Sequence, residues 1–400
     1  MPTPLERAIE AHKGGRLIEA EAAYRRILRK DPDNADALNF LGMLTGQSGD
    51  MAAAAQWLRK SVEADPGNPH AWLNLGNVLL AKGDAQEARE AFTRSTELAP
   101  DLPKAWFNLG VCLGRCRLPK EAAVALQRAL QLEPGHIPAY ESLALLLYRL
   151  GEYPAAAEVY RDWLALDPQS PVARHMLAAM GGKDVPARAD DAFVRHIFDH
   201  FADTFDENLA ALGYQAPQWV AERLAREVAG GAALRVLDAG CGTGLCAPLV
   251  KPLAARLVGV DISPAMVDKA RARQLYDELI VGELSQFMRS REDAFDVVVS
   301  ADTLCYFGGL EEPLAAARRC LRTGGVLTFT LEQLESSPSS REPYRLETHG
   351  RYTHTETYVR SALSAAGFVD VSLETRVLRR ERGQNVMGHV VLARAGSGVE

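Results

Sequence analysis

The sequence predicts an α + α/β protein: a stack of repeated helix pairs, followed by an α/β domain built on a mostly parallel sheet. Prolines recur every 34 residues through the first 170 residues. In the second half, short apolar runs alternate with amphipathic helices, the pattern of a parallel sheet covered on both faces. The 400 residues are 47% hydrophobic and 24% charged, as in ordinary folded proteins. At roughly 150 residues per domain, this length predicts two or three domains and at least one full-sized core.

Charge and hydropathy exclude several classes. Forty-five basic side chains against 52 acidic ones give a net charge of −7, which disfavours nonspecific nucleic-acid binding. Because no apolar run approaches the roughly 18 residues of a membrane span, no span is expected. The start, Met1–Pro4, lacks a basic segment followed by an apolar one, and the six cysteines form no CxxC pair. These features together predict a cytoplasmic protein.

The first half repeats one 34-residue unit five times. Small residues occupy the eighth and the twentieth position of every unit, where they allow two helices to approach closely. A glycine marks the turn between the helices in four of the five units. The recurring residues are Pro32, Pro66, Pro100, Pro134 and Pro168; Ala8, Gly42, Gly76, Gly110 and Ala144; and Ala20, Ala54, Ala88, Ala122 and Ala156.

This combination of period, small residues, aromatics and proline resembles the tetratricopeptide repeat (TPR) family over residues 1–170. The resemblance implies an α-solenoid, because one helix pair cannot bury its own apolar face and so stacks on its neighbours. It also implies a concave groove that binds a protein or peptide partner. Two positions depart from the pattern, Pro4 in place of an aromatic residue and Arg117 in place of the turn glycine.

The period lapses after Ser170, and a linker is predicted over residues 171–192, centred on the run 181–186 (Gly-Gly-Lys-Asp-Val-Pro). Residues 193–400 are predicted to form the second domain. Its first strand, 234–238, runs directly into Ala-Gly-Cys-Gly-Thr-Gly at 239–244. Glycines at alternate positions leave the backbone open to a polar ligand.

The next strand ends in Asp261, 17 residues after Gly244, where a carboxylate suits two neighbouring ribose hydroxyls. Dinucleotide enzymes use a related turn, but their pattern requires a third glycine where Ala247 stands. The spacing and the preceding Leu-Asp-Ala resemble class I S-adenosylmethionine-dependent methyltransferases. With the TPR half, the chain is similar to a bacterial group of predicted TPR-fused methyltransferases, akin to the ubiquinone and trans-aconitate enzymes.

The resemblance implies a Rossmann-like domain with a seven-stranded sheet that has an antiparallel edge, and S-adenosyl-L-methionine as cofactor. Residues 193–215 resemble the lid of that family. The glycine turn and Asp238 are expected to hold the methionine half, Asp261 the ribose, and Glu283 the adenine amino group. The residues implied to bind the cofactor are Phe201, Phe205, Tyr214, Asp238, Gly240, Cys241, Gly242, Gly244, Asp261, Ile262, Met266, Glu283, Leu284 and Ala301.

Acceptor binding is expected at the mouth, from Tyr306, Arg345, Arg351 and Tyr352. If the acceptor is a phenol, an amine or an acidic carbon, His354 would serve as the catalytic base. If it is a carboxylate, an arginine could orient it without a base. The basic cluster 379–382 is expected to form a solvated face. No metal site is expected, because His196 and His200 lack a third ligand.

The sequence therefore predicts a methyltransferase whose repeats recruit a partner or present the acceptor, either a small molecule or a protein. The alternative is an interaction scaffold whose methyltransferase-like half binds the cofactor without turnover. Nicotinamide chemistry is disfavoured by the glycine spacing. Base modification in DNA is disfavoured because no Pro-Pro-Tyr or Pro-Pro-Phe element follows the fourth strand.

Overall fold

The computed structural model describes residues 1–181, 185–228, 233–335 and 342–397. The chain divides into two compact units, Met1–Asp167 and Pro168–Glu400. Each unit has its own hydrophobic core. In the described ranges, no helix combines the length and the apolar character needed to cross a membrane.

The first unit consists of ten helices in five consecutive pairs, which confirms the predicted TPR architecture. Each pair is joined by a short turn and packs against the next pair along the chain. The helices are α1 (Pro4–Lys13), α2 (Leu17–Lys30), α3 (Ala35–Gln47), α4 (Met51–Ala64), α5 (Pro69–Lys82), α6 (Ala85–Leu98), α7 (Pro103–Arg115), α8 (Pro119–Leu132), α9 (Ile137–Leu150) and α10 (Tyr153–Leu166).

In the three repeats with glycine at position eight, this glycine faces the large residue at position 24. A Cβ atom on Gly76 would lie 2.5 Å from the Phe92 ring, and one on Gly110 would lie 2.7 Å from Leu126 Cγ. Both distances are too short for a real contact. The two positions are therefore one packing unit, which explains why they recur together.

The repeated prolines and aromatics are also linked, in this case between neighbouring repeats. Trp72 Nε1 donates to the carbonyl of Pro66 at 3.0 Å, and Trp106 Nε1 donates to that of Pro100 at 2.9 Å. Each tryptophan thus ties the first helix of its repeat to the end of the preceding one. A shared period is expected of residues that contact each other at corresponding boundaries.

The turn at Arg117 gives a stability prediction. Gly15, Gly49, Gly83 and Gly151 occupy the equivalent turns with positive φ, and Arg117 adopts the same conformation at φ 59°. A residue with a side chain in this left-handed backbone conformation lowers the stability by about 1 kcal/mol relative to glycine. Arg117→Gly should therefore raise the free energy of unfolding by about 1 kcal/mol, measured by denaturant titration with helical circular dichroism.

The control is Arg128→Gly, at an exposed position inside α8. A glycine in a helix interior lowers stability by about 1 kcal/mol relative to a good helix former. If Arg117→Gly destabilises the chain as well, the turn is not strained by its side chain.

Over its described residues, the second unit is an α/β domain with a nine-stranded sheet. Its elements are α11 (Pro171–Ala179), α12 (Asp191–Phe201), α13 (Phe205–Ala211), α14 (Ala216–Glu227), β1 (Leu234–Ala239), α15 (Ala247–Val250), β2 (Ala254–Asp261), α16 (Pro264–Ala272), β3 (Glu278–Val281), α17 (Leu284–Arg289), β4 (Phe295–Ser300), α18 (Glu311–Cys320), β5 (Leu321–Gln333), β6 (Tyr344–Leu346), β7 (Tyr352–His354), α19 (Glu356–Ala365), β8 (Phe368–Glu381) and β9 (Gln384–Ala395).

The central strands run in the order β3-β2-β1-β4-β5 and are all parallel. Strand β9 pairs antiparallel with β5, and β8 pairs antiparallel with β9, which confirms the Rossmann-like sheet with an antiparallel edge. The strand order reverses between β1 and β4, the topological switch point where open sheets bind ligands.

Two strands were not predicted. The short strands β6 and β7 pair antiparallel with each other, and β7 joins the carboxyl end of β5. Among the residues that the structure describes, they raise the strand number from the predicted seven to nine. At three residues each, they are too short to give an alternating pattern.

The predicted linker needs a correction, because residues 171–179 form helix α11 of the second unit. Ser170 caps this helix through Ala173 N. His175 Nε2 lies 2.8 Å from the carbonyl oxygen of Gly350, and its ring stacks on Phe193 at 4.0 Å. The segment is therefore packed against the α/β domain. Residues 182–184 of the predicted linker lie outside the described residues.

Candidate functional site

The second unit contains a cavity of about 210 Å³ at the carboxyl ends of β1, β2 and β4. The glycine turn, the ends of three strands, helices α12 and α13 and the residues after β4 all reach it. Twelve of the predicted site residues line it: Phe205, Tyr214, Gly240, Cys241, Gly242, Asp261, Ile262, Glu283, Leu284, Ala301, Tyr306 and Arg351. Phe201, Asp238, Gly244, Met266, Arg345, Tyr352 and His354 are not part of the lining.

The glycine turn needs its glycines for different reasons. Gly240, Gly242 and Gly244 all have positive φ. A Cβ on Gly240 would lie 2.2 Å from the Thr303 side chain, and one on Gly244 would lie 3.1 Å from Tyr276. A Cβ on Gly242 would meet only open space. Close packing therefore fixes the first and third glycines, while the middle one exposes bare backbone to the cavity.

Asp261 lies at the end of β2 and is bound to the glycine turn. Its Oδ2 accepts from Gly242 N at 2.9 Å, and its Oδ1 accepts from Ser263 N at 2.9 Å. Burial raises the pKa of this carboxyl. Each oxygen retains a further lone pair. The structure thus brings Asp261 and the glycine turn together, as the sequence predicts.

Asp238 lies behind the turn, almost fully buried. Its Oδ2 accepts from the Tyr276 hydroxyl at 2.6 Å, whereas its Oδ1 has no hydrogen-bond partner among the described residues. Burial raises the pKa of Asp238 to about 7. A buried acceptor without a donor costs about 1–3 kcal/mol, so this oxygen fits a donor supplied by a ligand or by water.

Ile262 and Leu284 provide apolar parts of the cavity wall. The Glu283 side chain caps α17 by accepting from Ser285 N at 3.0 Å and Gln286 N at 2.7 Å. Arg188 Nη1 donates to its Oε1 at 3.3 Å, and Arg188 itself lines the cavity. Sequence reasoning missed Arg188, because it precedes the recognised motifs.

Met266, by contrast, is completely buried and packs away from the cavity. Its predicted contact with adenine is therefore corrected, because the Met266 side chain does not line the cavity.

Helices α12 and α13 cover one side of the cavity, and aromatic rings form that wall. Phe205 and Tyr214 line it as expected, whereas Phe201 points elsewhere and contacts His200. Phe198 takes the place predicted for Phe201. Its ring meets Phe205 at 5.8 Å and Tyr306 at 5.5 Å, both edge to face.

Hydrogen bonds hold this covering segment to the sheet. Thr243 Oγ1 donates to Asp206 Oδ1 at 2.5 Å, and Arg273 pairs with the other oxygen of the same carboxylate. Ser263 Oγ donates to Asp199 Oδ1 at 2.5 Å. Helix α13 is thus joined directly to the glycine turn.

Ion pairs fill the end of the cavity after β4. Arg379 Nη1 lies 2.6 Å from Asp302 Oδ2, and Arg379 also contacts Glu332 and Glu381. Arg351 lies 2.5 Å from Glu332 Oε1 and 2.7 Å from Glu381 Oε1. The Arg379 side chain is only 4% exposed, so its predicted place on a solvated face is wrong. No local sequence pattern indicates these ion pairs, because the partners of Arg379 lie up to 77 residues away along the chain.

His354, the predicted base, does not reach the cavity. Its ring is fully buried, its Nε2 lies 3.1 Å from the Gly308 carbonyl oxygen, and it stacks on Tyr358. Burial lowers its pKa to about 4. The assignment is therefore corrected, because strand β7 directs this side chain into the core, where it serves packing.

Two of the predicted acceptor-binding residues are also displaced. Tyr352 is fully buried and donates its hydroxyl to the Pro186 carbonyl at 2.6 Å. Arg345 is exposed and pairs with Glu342. Only Tyr306 and Arg351 of the four predicted residues line the cavity.

The buried state of His354 predicts a pH dependence. Because the pKa falls from the ordinary 6.5 to about 4, the unfolded chain binds this proton first as the pH falls. The contribution of neutral His354 to the free energy of unfolding is complete above pH 6.5 and is lost as the pH falls towards 4. His354→Gln, which keeps a donor for Gly308, should lessen this loss by up to roughly 3 kcal/mol, measured by denaturant titration across that range.

His70→Gln, at an exposed position in α5, is the matched control and should leave the pH dependence as it is. A parallel pH profile for His354→Gln and the wild type would contradict a neutral buried imidazole.

Comparison with known families agrees with both halves of the fold. Residues 237–329 match the family model described as a methyltransferase domain. Residues 5–69 match a tetratricopeptide repeat model, and residues 55–174 match the TPR domain of cytochrome c-type biogenesis protein H.

Individual relatives match parts of this chain. The human methyltransferase-like protein 27 is 37% identical over 112 residues, which cover 27% of this chain and 46% of that protein. The malonyl-[acyl-carrier protein] O-methyltransferase of Herminiimonas arsenicoxydans is 36% identical over 178 residues, or 41% of this chain and 63% of that protein. This chain therefore spans about half of the length of these curated relatives.

Among solved structures, MamA is 25% identical with a TM-score of 0.39, and the match covers 40% of this chain and 95% of MamA. YrrB, described as a TPR protein with an unusual peptide-binding site, is 22% identical with a TM-score of 0.40, covering 43% of this chain and 89% of YrrB.

Proposed function

We propose that this chain, in which tetratricopeptide repeats precede a methyltransferase domain, is a class I methyltransferase that uses S-adenosylmethionine. The observation that carries the proposal is the joint position of Asp261 and the bare Gly242 backbone on one cavity wall. The cofactor would supply an electrophilic methyl group on a sulfonium, transferred by in-line displacement.

The described residues fit that cofactor. The Asp261 carboxylate has lone pairs for both ribose hydroxyls, and Ile262 and Leu284 would enclose the adenine. The unpaired Asp238 Oδ1 would accept, through a water, from the ammonium of the methionine half. Phe198, Phe205 and Tyr214 would exclude water and face the positive sulfonium.

Calorimetry tests the proposal directly. Purified full-length chain should release or absorb heat on titration with S-adenosylmethionine and with S-adenosylhomocysteine. Absence of heat with both ligands, at several temperatures, would argue against the proposed function. Incubation with labelled methyl donor and a lysate then separates an enzyme from a cofactor-binding scaffold, since a scaffold labels nothing. Mass identification of the labelled product would name the acceptor.

The segment α12–α13 is proposed to act as a lid. Asp206 joins α13 to Thr243 of the glycine turn and to Arg273, so the cofactor could leave only after these contacts break. Asp206→Ala should therefore speed the dissociation of S-adenosylhomocysteine by about tenfold, the value of one charge-assisted hydrogen bond. Stopped-flow fluorescence would measure the rate.

Asp203→Ala is the matched control. Asp203 lies in the same segment, but its side chain is 91% exposed and contacts only the surface residue Lys269 among the described ion pairs. The rate at which S-adenosylhomocysteine dissociates from Asp203→Ala should stay within about twofold of the wild-type rate. Equal rates for both variants would argue against the lid contact.

The repeats are proposed to bind a partner or to present the acceptor. Asparagine side chains pair between neighbouring repeats on the first helices: Asn74 Nδ2 donates to Asn39 Oδ1 at 3.0 Å, and Asn108 Nδ2 donates to Asn77 Oδ1 at 2.7 Å. Such a polar row suits the backbone of an extended peptide. Labelling by the full chain, compared with an Asn74→Ala and Asn108→Ala double variant, would test whether the row selects the acceptor.

The names of the relatives do not choose an acceptor for this chain. They include O-methyltransferases acting on malonyl-[acyl-carrier protein] and an 18S rRNA (guanine-N(7))-methyltransferase.

A further inference from the structure

The polar end of the cavity holds more carboxylates than guanidiniums. Asp302 and Glu381 line the cavity together with Arg351 and Arg379, and Glu332 lies directly behind them. Three carboxylates therefore share two guanidiniums, with His349 Nε2 3.3 Å from Glu332 Oε2. An acceptor that enters this end meets a surplus of negative charge.

The two arginines are already occupied. Arg379 contacts all three carboxylates, and Arg351 contacts Glu332 and Glu381. A carboxylate acceptor at this end would bring a fourth negative group to the same two guanidiniums, and a charge that is taken out of water without its own partner is costly. A carboxylate acceptor is thus disfavoured at this end.

Asp302 is the carboxylate of this group that adjoins the glycine turn. It lies two residues after the end of β4, and its neighbour Thr303 donates its hydroxyl to the carbonyl oxygen of Gly240 at 3.2 Å. Its backbone has a φ of 51°, a costly conformation for aspartate that Thr330 stabilises by accepting from Asp302 N at 2.8 Å and donating to Oδ1 at 3.0 Å. Two contacts therefore fix the carboxylate at the cavity wall.

The remaining surroundings of Asp302 suit a cation with an apolar body. Its side chain is 15% exposed, and it shares the cavity with the aromatic rings of Phe198, Tyr214 and Tyr306. Aromatic faces attract cations. Burial raises the pKa of Asp302, although Arg379 opposes the shift. A carboxylate of raised pKa takes up a proton more readily than an ordinary one.

We propose that the acceptor is an amine on an apolar group, which binds as an ammonium against Asp302 and gives its proton to that carboxylate. The inference rests on the proposed function and adds its acceptor class.

Atoms and charges balance in this step. An N–H bond of the ammonium breaks and the proton goes to Asp302. The freed lone pair forms the new N–C bond to the methyl group, while the C–S bond breaks with its electron pair on sulfur. The product leaves as a methylated ammonium, and the Asp302 proton passes to water.

Binding of simple probes tests the acceptor class without a known substrate. The full-length chain is saturated with S-adenosylhomocysteine and titrated with benzylamine or benzoate, followed by ligand-observed NMR. Benzylamine should bind at least about tenfold more tightly than benzoate. Equal binding, tighter binding of benzoate, or no binding of benzylamine would each overturn the proposal.

A variant locates the binding at Asp302. Asp302→Asn should weaken benzylamine about tenfold, while the affinity for S-adenosylhomocysteine stays within about twofold. Glu312→Gln, which changes an exposed carboxylate on α18 paired with Arg289, should change neither affinity. Unchanged benzylamine affinity in Asp302→Asn would overturn the role of this residue.

The two proposals fail in different ways. If the wild-type chain does not bind S-adenosylhomocysteine at all, the proposed function fails. If it binds S-adenosylhomocysteine and prefers benzoate, only the acceptor class fails. Retained S-adenosylhomocysteine binding by Asp302→Asn also shows that this variant is folded.

Discussion

Asp261→Ala should weaken the binding of S-adenosylmethionine and S-adenosylhomocysteine by about 100-fold, or roughly 2.7 kcal/mol. The variant removes the acceptor proposed for two ribose hydroxyls, and a hydrogen bond to a charged group contributes about 1.5–3 kcal/mol. It also removes the contacts to Gly242 N and Ser263 N, so the glycine turn loses its attachment to the start of α16. Both effects act on one wall of the cavity.

Calorimetry with both ligands would measure this change, and Asp261→Asn helps to separate its causes. The asparagine keeps an acceptor oxygen but loses the negative charge, so we expect it to bind between the wild type and Asp261→Ala. Asp268→Ala is the matched control, because Asp268 lies on the neighbouring helix α16, pairs with Arg271 and is 70% exposed. Affinity within about twofold of the wild type for Asp261→Ala would contradict the ribose assignment.

The sequence was sufficient to predict the parts of the site that depend on local backbone. Local sequence patterns identify the glycines at 240, 242 and 244 and the acid that ends β2. This is possible because one turn and one strand end determine the geometry of these residues. The five helix pairs were predictable for a similar reason. Each repeat contacts its neighbours in sequence, so every contact recurs with the period.

The polar end of the cavity, where the acceptor is proposed to bind, was not predictable in the same way. Asp302, Glu332 and Arg379 come from three separate strands or strand ends and meet only when the antiparallel edge has formed. No local spacing joins them. The prediction of His354 as the base was wrong for the opposite reason, because it rested on a local stretch of sequence. Whether a residue of β7 faces the cavity or the core depends on the register of that strand against β5.

Arg379→Met should lower the free energy of unfolding of the second unit by about 3–5 kcal/mol. This arginine is almost fully buried and is shared by Asp302, Glu332 and Glu381. Methionine fills a similar volume but leaves these carboxylates with one guanidinium, on Arg351. Burial alone would raise the pKa of Glu332, yet Arg351, His349 and Arg379 hold it well below its usual range. The variant removes part of that compensation.

Denaturant titration of the full chain would measure the loss. Arg380→Met changes the next residue on β8, which is exposed, and should cost less than about 0.5 kcal/mol. Adding Glu332→Gln to Arg379→Met removes one of the surplus negative charges and should recover part of the stability. If the double variant is no more stable than Arg379→Met, lost packing rather than unbalanced charge explains the effect. The surplus of negative charge at the polar end of the cavity would then lose its support.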